Sequence, residues 1–132
     1  MTTQFNPLPS PGDFVWCHFP QIPGEPGPKP RPALVVAVFD NDHAIQVAYG
    51  TSKKTDSIYP GEFLMDPSDP GFRDSGLAAA TKFDLGHCHN LPFDSYWFAP
   101  NQSVYASIPL PKMGTLHASF MKTVAEALKR IL

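Results

Sequence analysis

The sequence predicts a mainly β protein: a small β-barrel or curled sheet covered by one C-terminal α-helix. Short runs of β-branched and aromatic residues, bounded by proline, glycine and aspartate, fill the first half of the chain. An amphipathic helical pattern closes it at residues 115–132. With 42% hydrophobic and 17% charged residues, the 132-residue chain has enough apolar side chains for the core of one domain over residues 1–132.

Three strands are predicted in the first 50 residues. Asp13–Phe19 is rich in aromatic and β-branched residues and is bounded by turn signals. The apolar run Pro32–Phe39 predicts a strand that is buried on both faces. Ala44–Tyr49 predicts a third strand after the turn signal Asp40–Asp42. Residues 21–31 contain four prolines, which cannot donate ladder hydrogen bonds, and are therefore predicted to form a loop.

The second half predicts weaker elements and one clear helix. Ile58–Leu64 predicts a short strand, and Gly76–Phe83 predicts another because glycines flank a short apolar run. His87–Pro111 is expected to be a long irregular stretch. Thr115 is expected to cap a helix that runs to Leu132. The apolar stripe of that helix consists of Leu116, Phe120, Val124, Leu128 and Ile131.

Composition and charge exclude several classes of protein. No apolar run approaches the roughly 18 to 20 residues of a transmembrane helix, and residues 1–7 lack the features of a secretory signal. Two cysteines, Cys17 and Cys88, are too few for a disulfide framework, so we expect a cytoplasmic protein with free thiols and no membrane association. The net charge of −2 provides no general attraction for nucleic acid, so any such function requires a local site.

The first candidate site combines Arg31 with Thr51 and Ser52. Pro30 and Pro32 restrict the backbone on both sides of Arg31, so its guanidinium has little entropy to lose on binding. A planar guanidinium suits a phosphate because it can bond two oxygens at once. Thr51 and Ser52 follow a strand and a glycine, where hydroxyls and backbone N–H groups can converge on an anion. The alternative is a surface arginine and an ordinary turn.

The residues around this site resemble the PemK/MazF-like toxins of type II toxin–antitoxin systems. That family typically begins with Gly-Asp and a short strand, here Gly12–Trp16, followed by a loop with a Gly-x-Glu element, here near Gly24 and Glu25. Arg-Pro and an apolar strand come next, here Arg31–Val36, and a Thr-Ser pair follows the next strand. The resemblance covers residues 12–52 well, 75–85 loosely and 115–132 in pattern only.

The resemblance implies an SH3-like barrel that forms a homodimer and inhibits growth as an mRNA interferase. It implies metal-independent cleavage of single-stranded RNA, without a cofactor, and inhibition by a cognate antitoxin. The ribose 2′-hydroxyl would attack the adjacent phosphate, with Arg31 stabilising the phosphorane charge and Thr51, beside Ser52, holding a non-bridging oxygen. The alternative function is a non-catalytic SH3-like module that binds RNA or a protein.

Other residues are expected to support this site. Lys29, Lys53 and Lys54 are expected to give the site a positively charged lining for RNA. Some family members carry an arginine and an acid on a strand that reads Ala78–Thr81 here, and this chain has no charge there. The general base is therefore unassigned, with Glu25 and His18 as candidates.

Three further motifs admit a functional interpretation. His87, Cys88 and His89 are of metal-binding types, but their spacing matches no metal motif, and only the two histidines could share a strand face, so no metal site is predicted. Residues 93–98 could stack RNA bases through four aromatic rings, or could form a hydrophobic cluster beneath a loop. Residues 28–32 could be a polyproline ligand, but the strand that follows immediately argues against it. The four aromatic residues are Phe93, Tyr96, Trp97 and Phe98.

Overall fold

The computed structural model describes residues 2–102 and 109–132, which form a six-stranded antiparallel sheet with one short α-helix. The strand order is β4-β5-β3-β2-β1-β6, and the sheet curls into a half-barrel. The mainly β prediction with a C-terminal helix is therefore confirmed. The elements are β1 (Asp13–Cys17), β2 (Arg31–Phe39), β3 (Ala44–Thr51), β4 (Glu62–Met65), β5 (Thr81–Pro92), β6 (Lys112–Thr115) and α1 (Met121–Lys129).

Both faces of the sheet are covered, because consecutive residues of the central strands enter different hydrophobic clusters. The first core contains Val15, Val35 and Val47, whereas their neighbours Phe14, Leu34 and Ala48 belong to the second. This is the two-residue period of a strand expressed on two buried faces. The second core lies beneath α1, which contributes the buried Ala127.

Three irregularities in register bend the sheet. They lie between Phe14 and Val15 in the β1–β6 ladder, between Val35 and Ala37 in β2–β3, and between Ala48 and Tyr49 in β3–β5. A bulge locally increases the twist of a strand, so these positions account for the curl. The bulge in β2 also turns Val36 outward, where it is 37% exposed, and the prediction of a β2 buried on both faces is wrong there.

The predictions for the fifth strand need two corrections. Residues 72–75 form a 3₁₀ turn and residues 76–80 are irregular, so the fifth strand begins at Thr81 and not at Gly76. That strand continues to Pro92, where an irregular stretch was expected, because its second half pairs with β3, whereas β4 pairs only with residues 81–84. Residues 103–108 of the expected stretch lie outside the described residues.

The C-terminal helix is shorter than predicted. Thr115 does not cap it but ends β6, opposite Asp13 of β1. A 3₁₀ turn at Ala118–Phe120 follows, capped by the His117 side chain, which accepts from the Ser119 N–H. Of the predicted stripe, Leu128 and Ile131 remain 42% and 40% exposed. No helix in the described part of the chain combines the length and apolar character that a membrane crossing requires.

Candidate functional site

Arg31 is presented by a loop that is fastened to β1. The Gly27 N–H donates to the His18 carbonyl at 3.0 Å, and the His18 Nδ1–H donates back to the Gly27 carbonyl at 3.2 Å. A side chain at Gly27 would collide with the Phe19 carbonyl, so the close approach requires glycine. Arg31 itself opens β2 opposite Cys17. Residues 28–32, for which the sequence argued against a polyproline ligand, include the start of a paired strand, as expected from that sequence.

Thr51 reaches the same region from the end of β3. Its Oγ1 accepts from the Lys53 N–H at 3.1 Å, which fixes the hydroxyl and leaves its O–H able to donate to an anion. At Gly50 an added Cβ would lie 2.7 Å from the Pro32 carbonyl, so glycine lets β2 and β3 approach closely just before the hydroxyl.

Arg31, Thr51 and Ser52 line one pocket of about 170 Å³. Arg31 is half-buried, and no carboxylate forms an ion pair with it among residues 2–102 and 109–132. Its guanidinium is therefore available to an anion. The other lining residues are Trp16, Pro32, Gly50, Gly76, Leu77, Ala78, Ala79, Thr81 and Met113.

The remaining predicted site residues do not line this pocket. Lys29, Lys53 and Lys54 are exposed on the two loops that flank it. Glu25 is exposed in a tight turn, where its N–H donates to the Ile22 carbonyl at 3.1 Å. His18 is committed to the loop through Gly27. Neither candidate for the general base therefore lies among the residues that line a pocket with Arg31.

Lys82, which sequence reasoning did not single out, secures the loop after Thr51. It lies opposite Thr51 in the β3–β5 ladder, and its side chain is only 6% exposed. Nζ donates to the Ser57 carbonyl at 2.8 Å and to Glu62 Oε1 at 3.0 Å, and it lies 5.3 Å from the centre of the Tyr59 ring. This charged anchor holds the loop at residues 52–61 against β5.

A second pocket, of about 340 Å³, shares Arg31 with the first. Arg31 lines it together with Phe19, Tyr49, His87 and His89. The two imidazole rings lie 5.7 Å apart, and the Phe19 ring is 5.2 Å from each of them. Burial, with a smaller contribution from the charge of His87, holds the pKa of His89 below its ordinary value.

Cys88, between the two histidines, points to the opposite core, as the strand period predicts. Its Sγ–H donates to the Leu85 carbonyl at 3.3 Å, and burial followed by the Asp84 charge raises the pKa of the thiol. Within the described ranges no three histidine, cysteine, aspartate or glutamate side chains cluster in a way that could hold a metal ion. His87 and His89 therefore lie on one face of β5, and Cys88 lies on the other.

The aromatic residues after β5 form core and not a stacking surface. Phe93, Trp97 and Phe98 are buried in the first core, and the Phe93 and Phe98 rings lie 5.1 Å apart. Tyr96 alone of the four is exposed, at 53%. The hydrophobic-cluster interpretation is therefore the correct one for the three buried rings.

Comparison with known proteins agrees with this architecture. Residues 10–91 match the model of the PemK-like, MazF-like toxins of type II toxin–antitoxin systems. An endoribonuclease from mycobacterial species shares 16% identity and a TM-score of 0.55, over 95% of this chain and 91% of that one. A mycobacterial endoribonuclease in complex with its cognate antitoxin shares 15% identity and a TM-score of 0.54, over 91% and 90% of the two chains.

No curated protein matches the chain significantly in sequence. At such identities the structural neighbours establish the fold, whereas the family match spans more than half of the chain and includes both pocket-forming strands, β2 and β3. The protein is a member of the PemK-like, MazF-like toxin family of type II toxin–antitoxin systems.

Proposed function

We propose that this protein is a toxin endoribonuclease that cleaves single-stranded RNA without a metal ion. The observation that carries the proposal is the convergence of Arg31, Thr51 and Ser52 on one pocket, with Arg31 free of any carboxylate among the described residues. Family membership and the endoribonuclease fold support the same activity.

In the proposed reaction the ribose 2′-oxygen attacks the adjacent phosphorus and the bond to the 5′-oxygen breaks. The products are a 2′,3′-cyclic phosphate and a 5′-hydroxyl end. Arg31 donates to two phosphorane oxygens, where negative charge develops, and Thr51 donates to a non-bridging oxygen with Ser52 beside it. Donors fixed in advance by proline and by an internal turn need no reorganisation when that charge forms.

The exposed lysines at 29, 53 and 54 supply the local positive charge that the net charge of −2 does not. They lie on the loops on either side of the pocket, where they would meet the phosphates that flank the cleaved bond. We further propose a cytoplasmic homodimer whose RNA groove is blocked by a cognate antitoxin. The antitoxin complex of a structural neighbour supports that partner.

The test is incubation of the purified protein with a long single-stranded RNA in EDTA. Because one fixed donor to the reacting phosphate contributes about 100- to 1000-fold in rate, Arg31→Ala should abolish detectable cleavage and Thr51→Ala should slow it by about that factor. Arg31→Lys tests the planar fork, since lysine keeps the charge but not the two-point geometry.

Arg130→Ala is the matched control, because Arg130 is exposed beyond α1 and lines neither pocket. It should cleave like the wild type. Intact RNA with the wild-type protein would reject the nuclease and favour a binding module, and cleavage only after addition of a divalent metal would reject the mechanism.

A further inference from the structure

The proposed reaction needs a group that accepts the proton of the 2′-hydroxyl, and the smaller pocket offers none. Among the described residues that line it, Arg31 is the one titratable side chain, and an arginine does not give up its proton in a protein. His18 and Glu25, the candidates from the sequence, are committed elsewhere or exposed in a separate turn. The acceptor has to come from a neighbouring surface that Arg31 also touches.

The 340 Å³ pocket is such a surface, because Arg31 lines it as well. Its other titratable residues are Tyr49 on β3 and the two histidines on β5. An imidazole is the usual general base of proteins at neutral pH, so the two histidines are the candidates in this pocket. A pocket of this size also has room for the ribose or base on one side of a phosphate held at Arg31.

The two histidines differ in how firmly they are held. His89 is half-buried and lies in regular register opposite Val47, on the face of the sheet that carries Tyr49. His87 is more exposed and lies in the bulge before it, where Ala48 pairs with Cys88 but Tyr49 pairs with Asp84. A strand position fixed by its ladder suits a group that must meet one oxygen, so the geometry favours His89 as the base and His87 as its neighbour.

We propose that His89 is the general base of the nuclease, with His87 tuning it across the shared pocket; this rests on the proposed function. His89 takes the 2′-hydroxyl proton as the 2′-oxygen bonds to phosphorus, and the departing 5′-oxygen takes a proton from water. The hydroxide so formed removes the proton from the imidazolium, which restores the starting state. No metal, oxidant or further reactant enters the balance.

The surroundings of His89 keep it ready to accept a proton. The other titratable residues that line its pocket are His87 on its own strand, Tyr49 on β3 and Arg31 on β2, and the uncharged Phe19 ring lies 5.2 Å from the ring of His89. No carboxylate is among the residues that line the pocket. Burial and the His87 charge both lower the pKa of His89, so the neutral form predominates at pH 7.

The experiment is the pH dependence of RNA cleavage in EDTA for wild type, His89→Gln, His87→Gln and the control His117→Gln. The wild-type rate should rise with pH as the base loses its proton and should level off below neutrality. His89→Gln should lose about 100-fold or more in rate, together with that rise. His87→Gln should retain the rise but shift it to higher pH, because the charge that lowers the pKa of His89 is gone. His117→Gln should resemble the wild type, since His117 caps the 3₁₀ turn before α1 and lines neither pocket.

Chemical rescue separates a proton acceptor from a packing residue. Added imidazole should restore cleavage to His89→Ala, and substituted imidazoles should do so in the order of their basicity, whereas a merely structural histidine would show no such order. Wild-type activity with an unaltered pH profile in His89→Gln would overturn the inference and leave the nuclease standing. Loss of the pH rise in His87→Gln but not in His89→Gln would also overturn it. An inactive wild type would overturn both.

Discussion

Lys82 shows how a single charged residue organises the neighbourhood of the site. Its ammonium and the Glu62 carboxylate are 3.0 Å apart, with side chains that are only 6% and 12% exposed. A pair this buried contributes little net stability compared with apolar residues, but removal of one partner strands the other charge. Glu62 also accepts from the Tyr59 N–H at 2.8 Å, so the pair connects β4, β5 and the loop after Thr51.

Lys82→Met should therefore lower the free energy of unfolding by about 3 kcal/mol, because it leaves Glu62 buried without a counter-charge. Urea denaturation measures the effect. A second substitution, Glu62→Gln, should recover part of the loss, since it removes the stranded charge and retains an acceptor for Tyr59. Lys122→Met, at an exposed position of α1, should change stability by less than about 0.5 kcal/mol. Equal effects at the two lysines would contradict the account.

At the scale of elements, the wall of the smaller pocket depends on how tightly the turn before β5 packs against β6. Gly76 has φ +76° and lies so close to the Met113 carbonyl that a Cβ there would overlap the β6 backbone. Gly24 has a similar φ of +83° but has nothing within 4 Å of its Cβ position. The two glycines therefore share the same backbone requirement and differ only in space.

Gly24→Ala should cost about 1 to 2 kcal/mol of unfolding free energy, the strain of a left-handed residue with a side chain. Gly76→Ala should cost clearly more, because the turn must also move away from β6. It should slow RNA cleavage as well, since Gly76 lines the pocket with Arg31. Thermal or urea unfolding of both variants provides the comparison, and equal losses would show that the turn can yield without cost.

The elements that could be predicted from the sequence are those whose signals are local. β1, β2 and β3 are marked by aromatic and β-branched runs between turn residues, and their predicted bounds differ from the structure by one or two residues. Only the start of β5 lay within a predicted strand; the rest was missed because Gly86 and Pro92 resemble loop residues, and it forms a strand through its pairing with β3. Thr115 was predicted as a helix cap because its local sequence favours one, whereas in the structure it pairs with Asp13, about a hundred residues earlier in the chain.

The candidate site divides in the same way. Arg31, Thr51 and Ser52 could be proposed from motifs and order along the chain, and the structure places them around one pocket. The histidine pair could not be joined to them, because its strand was predicted as a loop. Lys82 gave no signal either, since a lysine in a strand is ordinarily exposed and only the folded chain shows its acceptors.

At the scale of the whole molecule, the burial of a cysteine in the core makes the stability of the protein fall at alkaline pH. Cys17 is fully buried in the first core, and burial raises the pKa of its thiol well above the ordinary value of 9.0. At pH values above 9.0 the unfolded chain releases the proton of the Cys17 thiol and the folded chain keeps it, so the unfolded state binds fewer protons. Stability must then fall as pH rises, and it is unaffected by this group below pH 9.

The free energy of unfolding should therefore decrease by about 1.4 kcal/mol per pH unit above pH 9 through Cys17 alone. Cys88, whose pKa is also raised, should add to the slope. Urea denaturation between pH 7 and 10.5 measures it. In Cys17→Ala the free energy of unfolding should decrease less steeply with pH than in the wild type, by about that amount. An identical slope in the variant would exclude the thiol as the cause.

The two-sided burial of the central strands also limits how this chain can change length. In a sheet with one solvent-exposed face, deletion of one residue from a strand moves buried side chains into solvent. Here such a deletion would move side chains from one hydrophobic core into the other. Within β5 such a deletion would turn Cys88 toward Arg31 and would send His89 beneath α1. Relatives of this protein can therefore vary in length within β5 only in pairs of residues or by altering its bulge.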